Sequence, residues 1–135
     1  MDVLGLYATA LLFGGMVFFS FVFSPLIFVK LPAEVAGPFI RQVFPWYFLV
    51  VAALAGIAGM GLLMAAPIWG VALLAMAGLG LLNRQVLMPR INILRDQQLA
   101  GNKAAGRSFD RLHKLSVGIN LVQMLVAGAA LWVFL

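Results

Sequence analysis

Long stretches without a charged residue dominate this chain and limit what it can fold into. Residues 3–29, 42–83 and 115–135 contain no Asp, Glu, Lys or Arg. A helix needs about 20 apolar residues to cross the hydrocarbon core of a bilayer, so the first and last stretches suit one crossing each and the middle stretch suits two. At 64% hydrophobic and 10% charged residues, the chain is too apolar for a soluble domain. We predict an all-α polytopic membrane protein, a single domain over residues 1–135 that forms a bundle of four transmembrane helices.

Prolines predict where the helices begin. Pro67 cannot continue a helix but suits the first turn of a new one, so it divides the middle stretch into two helices. Pro32 and Pro45 bracket a short segment that we predict to be a separate interfacial helix between the first two spans. Ser108 is the expected N-cap of the last helix. The four predicted helices cover approximately residues 3–29, 45–66, 67–88 with a kinked extension, and 109–135.

The basic residues are distributed asymmetrically between the predicted connections. All nine Lys and Arg residues lie in or beside the connections after the first and third helices, and the connection at Pro67 has none. Because basic residues in short loops mark the cytoplasmic face, we expect both basic connections inside and both termini outside. The expected location is the bacterial inner membrane. The net charge of +5 then reflects topology and contact with anionic head groups, and we do not expect nucleic-acid binding.

Two predicted helices carry polar side chains into apolar spans. On the fourth helix His113, Ser116 and Asn120 recur at helical spacing. On the third helix Asn83 and Arg90 are seven residues apart and would share a face of a regular helix. Both stripes begin at the same end of the predicted bundle and descend to a similar depth. We therefore expect them to face each other.

These stripes predict a polar pocket that opens to the cytoplasm, rich in arginine and poor in carboxylate. Intramembrane ionisable residues are functional candidates, and an arginine without an acidic neighbour suits an anionic ligand such as a lipid head group or a small anion. Polar side chains inside membrane bundles also join helices by hydrogen bonds, so a purely structural role is the alternative. The candidate pocket residues are Asn83, Arg84, Arg90, His113, Ser116, Asn120, Tyr47 and Ser24.

His113 is the only histidine, and the chain has no cysteine, so one chain cannot form a metal site from several histidines or thiolates. His113 is still a candidate haem ligand, or a proton carrier together with Tyr47 and Asn120. Covalent catalysis has no support, because the serines in the spans have no adjacent base and orienting acid in sequence. We favour a protein without a cofactor over a haem protein.

Small residues in the second helix predict close helix packing. Ala52 and Gly56 are four residues apart, and so are Ala55 and Gly59. Such pairs let two helix backbones approach each other. We favour packing within one bundle, with a homo-oligomer as the alternative.

Several motifs together resemble a known family. They are Leu31-Pro32 before Phe44-Pro45-Trp46-Tyr47-Phe48, Asn83 before Met88-Pro89-Arg90, and Phe109 before His113, Ser116 and Asn120. In this combination, over nearly the whole chain, they resemble the small four-helix membrane proteins named for transmembrane protein 205. That resemblance implies a membrane domain of uncharacterised function. A more distant similarity, to copper-resistance membrane proteins and a haem-containing oxidase family, implies metal or tetrapyrrole handling, although helix one here lacks the histidine of the haem family.

Two functional hypotheses follow from the sequence. In the first, the protein is a non-enzymatic membrane module whose basic pocket binds an anionic lipid or a small anion. In the second, it is a haem- or metal-linked redox or transport protein that uses His113. We favour the first hypothesis, and a coloured purified protein would favour the second.

Overall fold

The computed structural model describes residues 3–135, which form helices and short connections and contain no strand. Each of the four helices is long and apolar enough to cross a membrane. They are α1 Val3–Lys30, α2 Ala33–Leu62, α3 Pro67–Leu99 and α4 Lys103–Phe134, the last ending in a 3₁₀ turn at Leu131–Phe134. The prediction of an all-α four-helix membrane bundle is confirmed, and the chain is a multi-pass membrane protein.

Two ends of this bundle are named below. The hairpin end contains the connection at residues 63–66, and the basic end contains the connections at residues 31–32 and 100–102. Hydrophobic side chains from all four helices fill the half nearer the hairpin end. They include Leu12, Met16, Ala55, Leu73, Met124 and Ala127, which are 6% exposed or less.

Glycines let α2 and α3 approach each other closely at the hairpin end. A Cβ atom on Gly70 would lie 2.8 Å from the backbone nitrogen of Leu63 and 3.0 Å from the carbonyl oxygen of Gly59. A Cβ atom on Gly59 would lie 2.9 Å from the carbonyl oxygen of Gly70. Backbone atoms cannot move aside as flexible side chains do, so this contact requires glycine on both helices. Gly59 of α2 therefore packs against α3 within the bundle, whereas a Cβ atom on Gly56 would meet nothing within 4 Å.

Helix α2 differs from the prediction of a separate interfacial helix. Residues 33–62 form one continuous helix, and Pro38 and Pro45 lie inside it. Proline removes a backbone donor, but long membrane helices tolerate it where neighbouring helices and local adjustments compensate. The segment before Pro45 therefore extends α2 and reaches the basic end as part of the bundle.

Helix α4 begins earlier than the predicted cap at Ser108. The side-chain oxygen of Asn102 accepts a hydrogen bond from the backbone N–H of Ala105 at 3.1 Å, so Asn102 is the N-cap. Gly101 adopts a φ of 103°, a conformation that glycine reaches without strain, and ends α3. Ser108 lies inside α4, which gains a turn and a half on the basic side.

Helices α1 and α3 each contain a single π-helical turn just before a proline. The turns are Phe19–Phe23, before Ser24-Pro25, and Asn83–Leu87, before Met88-Pro89. The N–H of Ser24 donates to the carbonyl of Phe19, and the N–H of Met88 donates to that of Asn83, each five residues back. A wider turn makes room for the proline ring, which would otherwise press on the carbonyl four residues earlier. Each π turn also contains one more residue than a regular helical turn. The residues after it therefore face a different direction from the one that regular α-helical spacing predicts.

Candidate binding cavity

A cavity of about 500 Å³ lies among the four helices in the half of the bundle nearer the basic end. Its walls are mainly apolar and aromatic. The apolar lining includes Phe28, Ile40, Phe44, Ile91, Phe109 and Val117. Among the residues that the structure describes, none that lines this cavity carries a carboxylate.

A chain of hydrogen bonds joins three helices at the inner part of the cavity. The hydroxyl of Tyr47 on α2 donates to Oδ1 of Asn120 on α4 at 2.7 Å. Nδ2 of Asn120 then donates to the hydroxyl of Ser20 on α1 at 3.1 Å. The ring of Tyr47 also stacks on Phe19, with 3.9 Å between ring centroids and an interplanar angle of 13°. These contacts fix the amide and phenol groups in place.

Two arginines lie on the side of the cavity nearer the basic end. Nη2 of Arg41 is 2.9 Å from Oδ1 of Asp96, and it also donates to the carbonyl of Asn92 at 3.4 Å. The guanidinium carbon of Arg95 lies 5.3 Å from the ring centroid of Phe109, within cation–π range. Both arginine side chains line the cavity, so its electrostatic character is positive.

His113 lies at the same side of the cavity. Its ring stacks on Phe109, with 5.5 Å between centroids and 7° between planes. Phe109 is therefore in contact with both Arg95 and His113. Within residues 3–135 there is no group of three or more His, Cys, Asp and Glu side chains that could hold a metal ion.

The structure brings together five of the eight predicted site residues. Ser24, Tyr47, His113, Ser116 and Asn120 all line the cavity. The polar residues predicted on the fourth helix therefore line the cavity, whereas those predicted on the third helix do not.

The other three predicted residues lie elsewhere. Asn83 is completely buried, and neither amide atom has a hydrogen-bond partner among the residues that the structure describes. Nε of Arg84 donates to the carbonyl of Pro45 at 3.0 Å, which links α3 to α2. Arg90 is exposed and does not line the cavity.

The π turn in α3 explains why Arg90 lies outside the cavity. In a regular helix residue 90 would follow residue 83 on the same face after two turns. The extra residue of the π turn moves that position to Ile91, which is 5% exposed and lines the cavity. Arg95, one turn further, is the arginine that this face presents to the cavity.

Arg41 lines the cavity but is not among the predicted site residues, because the segment before Pro45 is predicted to form a separate interfacial helix. Within a continuous α2, Ile40, Arg41, Phe44 and Phe48 recur at spacings of three and four residues, which is the signature of one helix face. Because α2 continues through Pro45, this basic and aromatic stripe lies beside Tyr47 on the same helix.

Comparison with known proteins gives a family but no activity. The family model DUF4149, described as a domain of unknown function, matches residues 7–100. The chain belongs to this family. The matched DUF4149 region contains Ser24, Arg41, Tyr47 and Arg95, whereas the cavity residues of α4 lie beyond it. No curated protein and no solved structure matches the chain.

Proposed function

We propose that this DUF4149 protein is a non-enzymatic membrane module that binds an anionic lipid in the cavity at its basic end. The observation that carries the proposal is the lining of that cavity, where Arg41 and Arg95 border a mainly apolar and aromatic space. An amphipathic anion suits both surfaces, because its charged group favours cationic donors and its acyl chains favour apolar contact.

The two arginines are suited to a phosphate group in different degrees. Arg95 donates to the neutral side-chain oxygen of Gln98 at 2.9 Å, and among the described residues it forms no ion pair. Arg41 is partly neutralised by Asp96, whose side chain is 63% exposed. Guanidinium groups bind phosphate oxygens through two parallel hydrogen bonds. Arg95 therefore supplies the uncompensated charge, and Arg41 can exchange its exposed partner for the ligand.

Hydroxyl groups extend the polar lining beyond the arginines. Ser24 and Ser116 line the cavity, and Ser116 is 5% exposed. A hydroxyl can donate to a phosphate or ester oxygen. Together with His113, these groups place polar side chains on α1 and α4, the two helices that carry neither Arg41 nor Arg95.

We also propose that the basic end faces the cytoplasm, with both termini outside, in a bacterial inner membrane. The distribution of basic residues supports this orientation. None of the nine Lys and Arg residues lies at residues 63–66, and all nine lie in or beside the two connections at the basic end. The cytoplasmic leaflet is the one in which negative surface potential attracts basic segments.

The resemblance to the family named for transmembrane protein 205 belongs to the same proposal. Eight residues that carry that resemblance line the cavity at the basic end: Phe44, Tyr47, Phe48, Met88, Phe109, His113, Ser116 and Asn120.

A native mass spectrum of the protein purified in mild detergent with added phosphatidylglycerol tests the proposal. We expect the wild type to retain one anionic lipid and Arg95→Ala to lose roughly tenfold in retention, since hydrogen bonds to a charged group are among the strongest. Arg90→Ala is the matched control, because it removes the same charge from an exposed position on the same helix outside the cavity. Equal losses in the two variants would contradict the proposal.

Two further results from the same samples separate the alternatives. Retention of inorganic phosphate in place of lipid would make the ligand a small anion. An absorption band of haem that disappears in His113→Ala would replace the proposal with the redox hypothesis, which draws support from the position of His113 and Phe109 in the cavity wall.

A further inference from the structure

A second cavity, of about 330 Å³, forms a groove between α1 and α2. Leu11, Gly15 and Phe18 line it from α1, and Val50 and Leu54 line it from α2. These residues are exposed or partly exposed, so the groove opens at the outer surface of the bundle. Its described lining is apolar apart from Tyr47.

This groove shares two lining residues with the cavity of about 500 Å³ at the basic end, called the basic cavity below. Phe19 and Tyr47 line both, and their stacked rings form the wall between the two spaces. Tyr47 is held by its hydrogen bond to Asn120, whereas the apolar ring of Phe19 is held by packing alone. The Phe19 ring also contacts the rings of Phe23 and Phe44, each with 5.5 Å between centroids, so joining the two spaces requires this ring to change its rotamer.

The direction of the groove matches the direction of a lipid in a leaflet. Along α2 it extends from Val43 to Leu54, about 16 Å at a rise of about 1.5 Å per residue. It starts at the level of the cavity at the basic end, crosses the middle of the spans and ends in the half nearer the hairpin end. A lipid likewise has its phosphate at the interface and its acyl chains directed to the middle of the bilayer.

We propose that the two cavities form one bipartite lipid site. The phosphate of an anionic glycerophospholipid lies beside Arg41 and Arg95, and one acyl chain lies in the groove between α1 and α2. The glycerol region crosses at the Phe19–Tyr47 wall, where the Phe19 ring moves aside. This inference rests on the proposed lipid-binding function and deepens it, because it makes the length of the acyl chain a determinant of binding.

Two neighbouring glycines of α1 provide a matched pair of variants. Gly15 lines the groove and Gly14 does not, and a Cβ added to either would meet nothing within 4 Å. Gly15→Leu therefore adds a side chain on the groove with a Cβ atom that has room, and Gly14→Leu adds the same side chain outside the groove. The probes are dioleoyl and dihexanoyl phosphatidylglycerol, which share a head group and differ in chain length. Retention is measured by native mass spectrometry.

We expect the wild type and Gly14→Leu to retain the long-chain lipid roughly tenfold better than the short-chain lipid, since each buried methylene adds to the affinity. Gly15→Leu should lose most of this difference while its retention of the short-chain lipid stays unchanged. Arg95→Ala should weaken retention of both lipids.

Equal retention of the two lipids by the wild type would overturn the bipartite site, and so would identical behaviour of Gly15→Leu and Gly14→Leu. A change in oligomeric state in Gly15→Leu, without loss of lipid, would assign the groove to a second copy of the chain and also overturn it. In each case the effect of Arg95→Ala still reports on the proposed function separately.

Discussion

The hydroxyl of Tyr47 donates to Oδ1 of Asn120 at 2.7 Å and joins α2 to α4 at the inner part of the basic cavity. Nδ2 of Asn120 in turn donates a hydrogen bond to the hydroxyl of Ser20 on α1. One amide side chain is thus both acceptor and donor between two other helices. The same contacts set the shape of the cavity and contribute to the stability of the bundle.

Removing the hydroxyl of Tyr47 should weaken the bundle modestly. Tyr47→Phe keeps the ring stacked on Phe19 but leaves Oδ1 of Asn120 without its donor. Hydrogen bonds between membrane helices contribute about 0.6 kcal/mol on average and up to about 1.7 kcal/mol, so we expect a loss of unfolding free energy in that range. Unfolding in mixed micelles measures it. Tyr7→Phe, at an exposed position near the N-terminus, should have no effect, and an equal loss there would contradict this account.

The close contact of α2 and α3 predicts an intolerant glycine. Gly70→Ala would place a methyl group 2.8 Å from the backbone nitrogen of Leu63, so the two helices must separate. Overpacking of this kind costs about 1–3 kcal/mol, which a drop in thermal stability in detergent would reveal. Gly78→Ala is the control on the same helix, because its added methyl group meets nothing within 4 Å. If both variants melted at the same temperature, the contact would not be as close as described.

The sequence predicts the four spans well because charge and hydropathy act over about 20 residues and are insensitive to local geometry. Pro67 also lies at the first turn of α3, as its chemistry favours. The interior of the bundle depends on finer detail. One added residue in the π turn at Asn83–Leu87 exchanges Arg90 for Ile91 on the buried face, and no periodicity of 3.6 residues can reveal it.

The helix boundaries also depend on the surrounding structure as well as on the residue type. Asn102 and Ser108 are both good N-cap residues, and the preceding Gly101 with its positive φ decides for Asn102. Pro45 is suited to a helix start and equally to a position inside a membrane helix, and the packing of α2 against its neighbours decides. The sequence therefore indicated a polar pocket, and the structure was required to assign Arg41 and Arg95 to it.

The buried Asn83 predicts a variant that is more stable than the wild type. Both of its amide atoms lack a partner among the described residues, and an unsatisfied buried polar group costs about 1–3 kcal/mol. Asn83→Leu keeps the number and branching of the heavy atoms and replaces the two amide atoms by methyl groups. It should gain unfolding free energy up to that amount, less the cost of fitting the bulkier methyl groups, with lipid retention unchanged. Gln123→Leu should gain less, because Nε2 of Gln123 donates to the carbonyl of Met76 at 2.8 Å. Loss of lipid by Asn83→Leu would instead show that Asn83 takes part in binding.

The proposed orientation can be tested by cysteine labelling, since the chain has no cysteine of its own. Ala65 lies in the connection at the hairpin end and Ala104 lies at the start of α4, and both are exposed. In intact cells a membrane-impermeant maleimide should label Ala65→Cys and should label Ala104→Cys only after permeabilisation. The reverse pattern would place the basic end outside the cell.

Photo-crosslinking can locate an anionic lipid in the cavity beside Arg41 and Arg95. The measurement uses phosphatidylglycerol with a photoreactive group near its glycerol, followed by mapping of the cross-linked residues. We predict cross-links to cavity residues such as Phe44, Ile91 and Val117, lost when both arginines are replaced by alanine. Cross-links confined to the outer surface, or equally frequent with phosphatidylcholine, would contradict the claim.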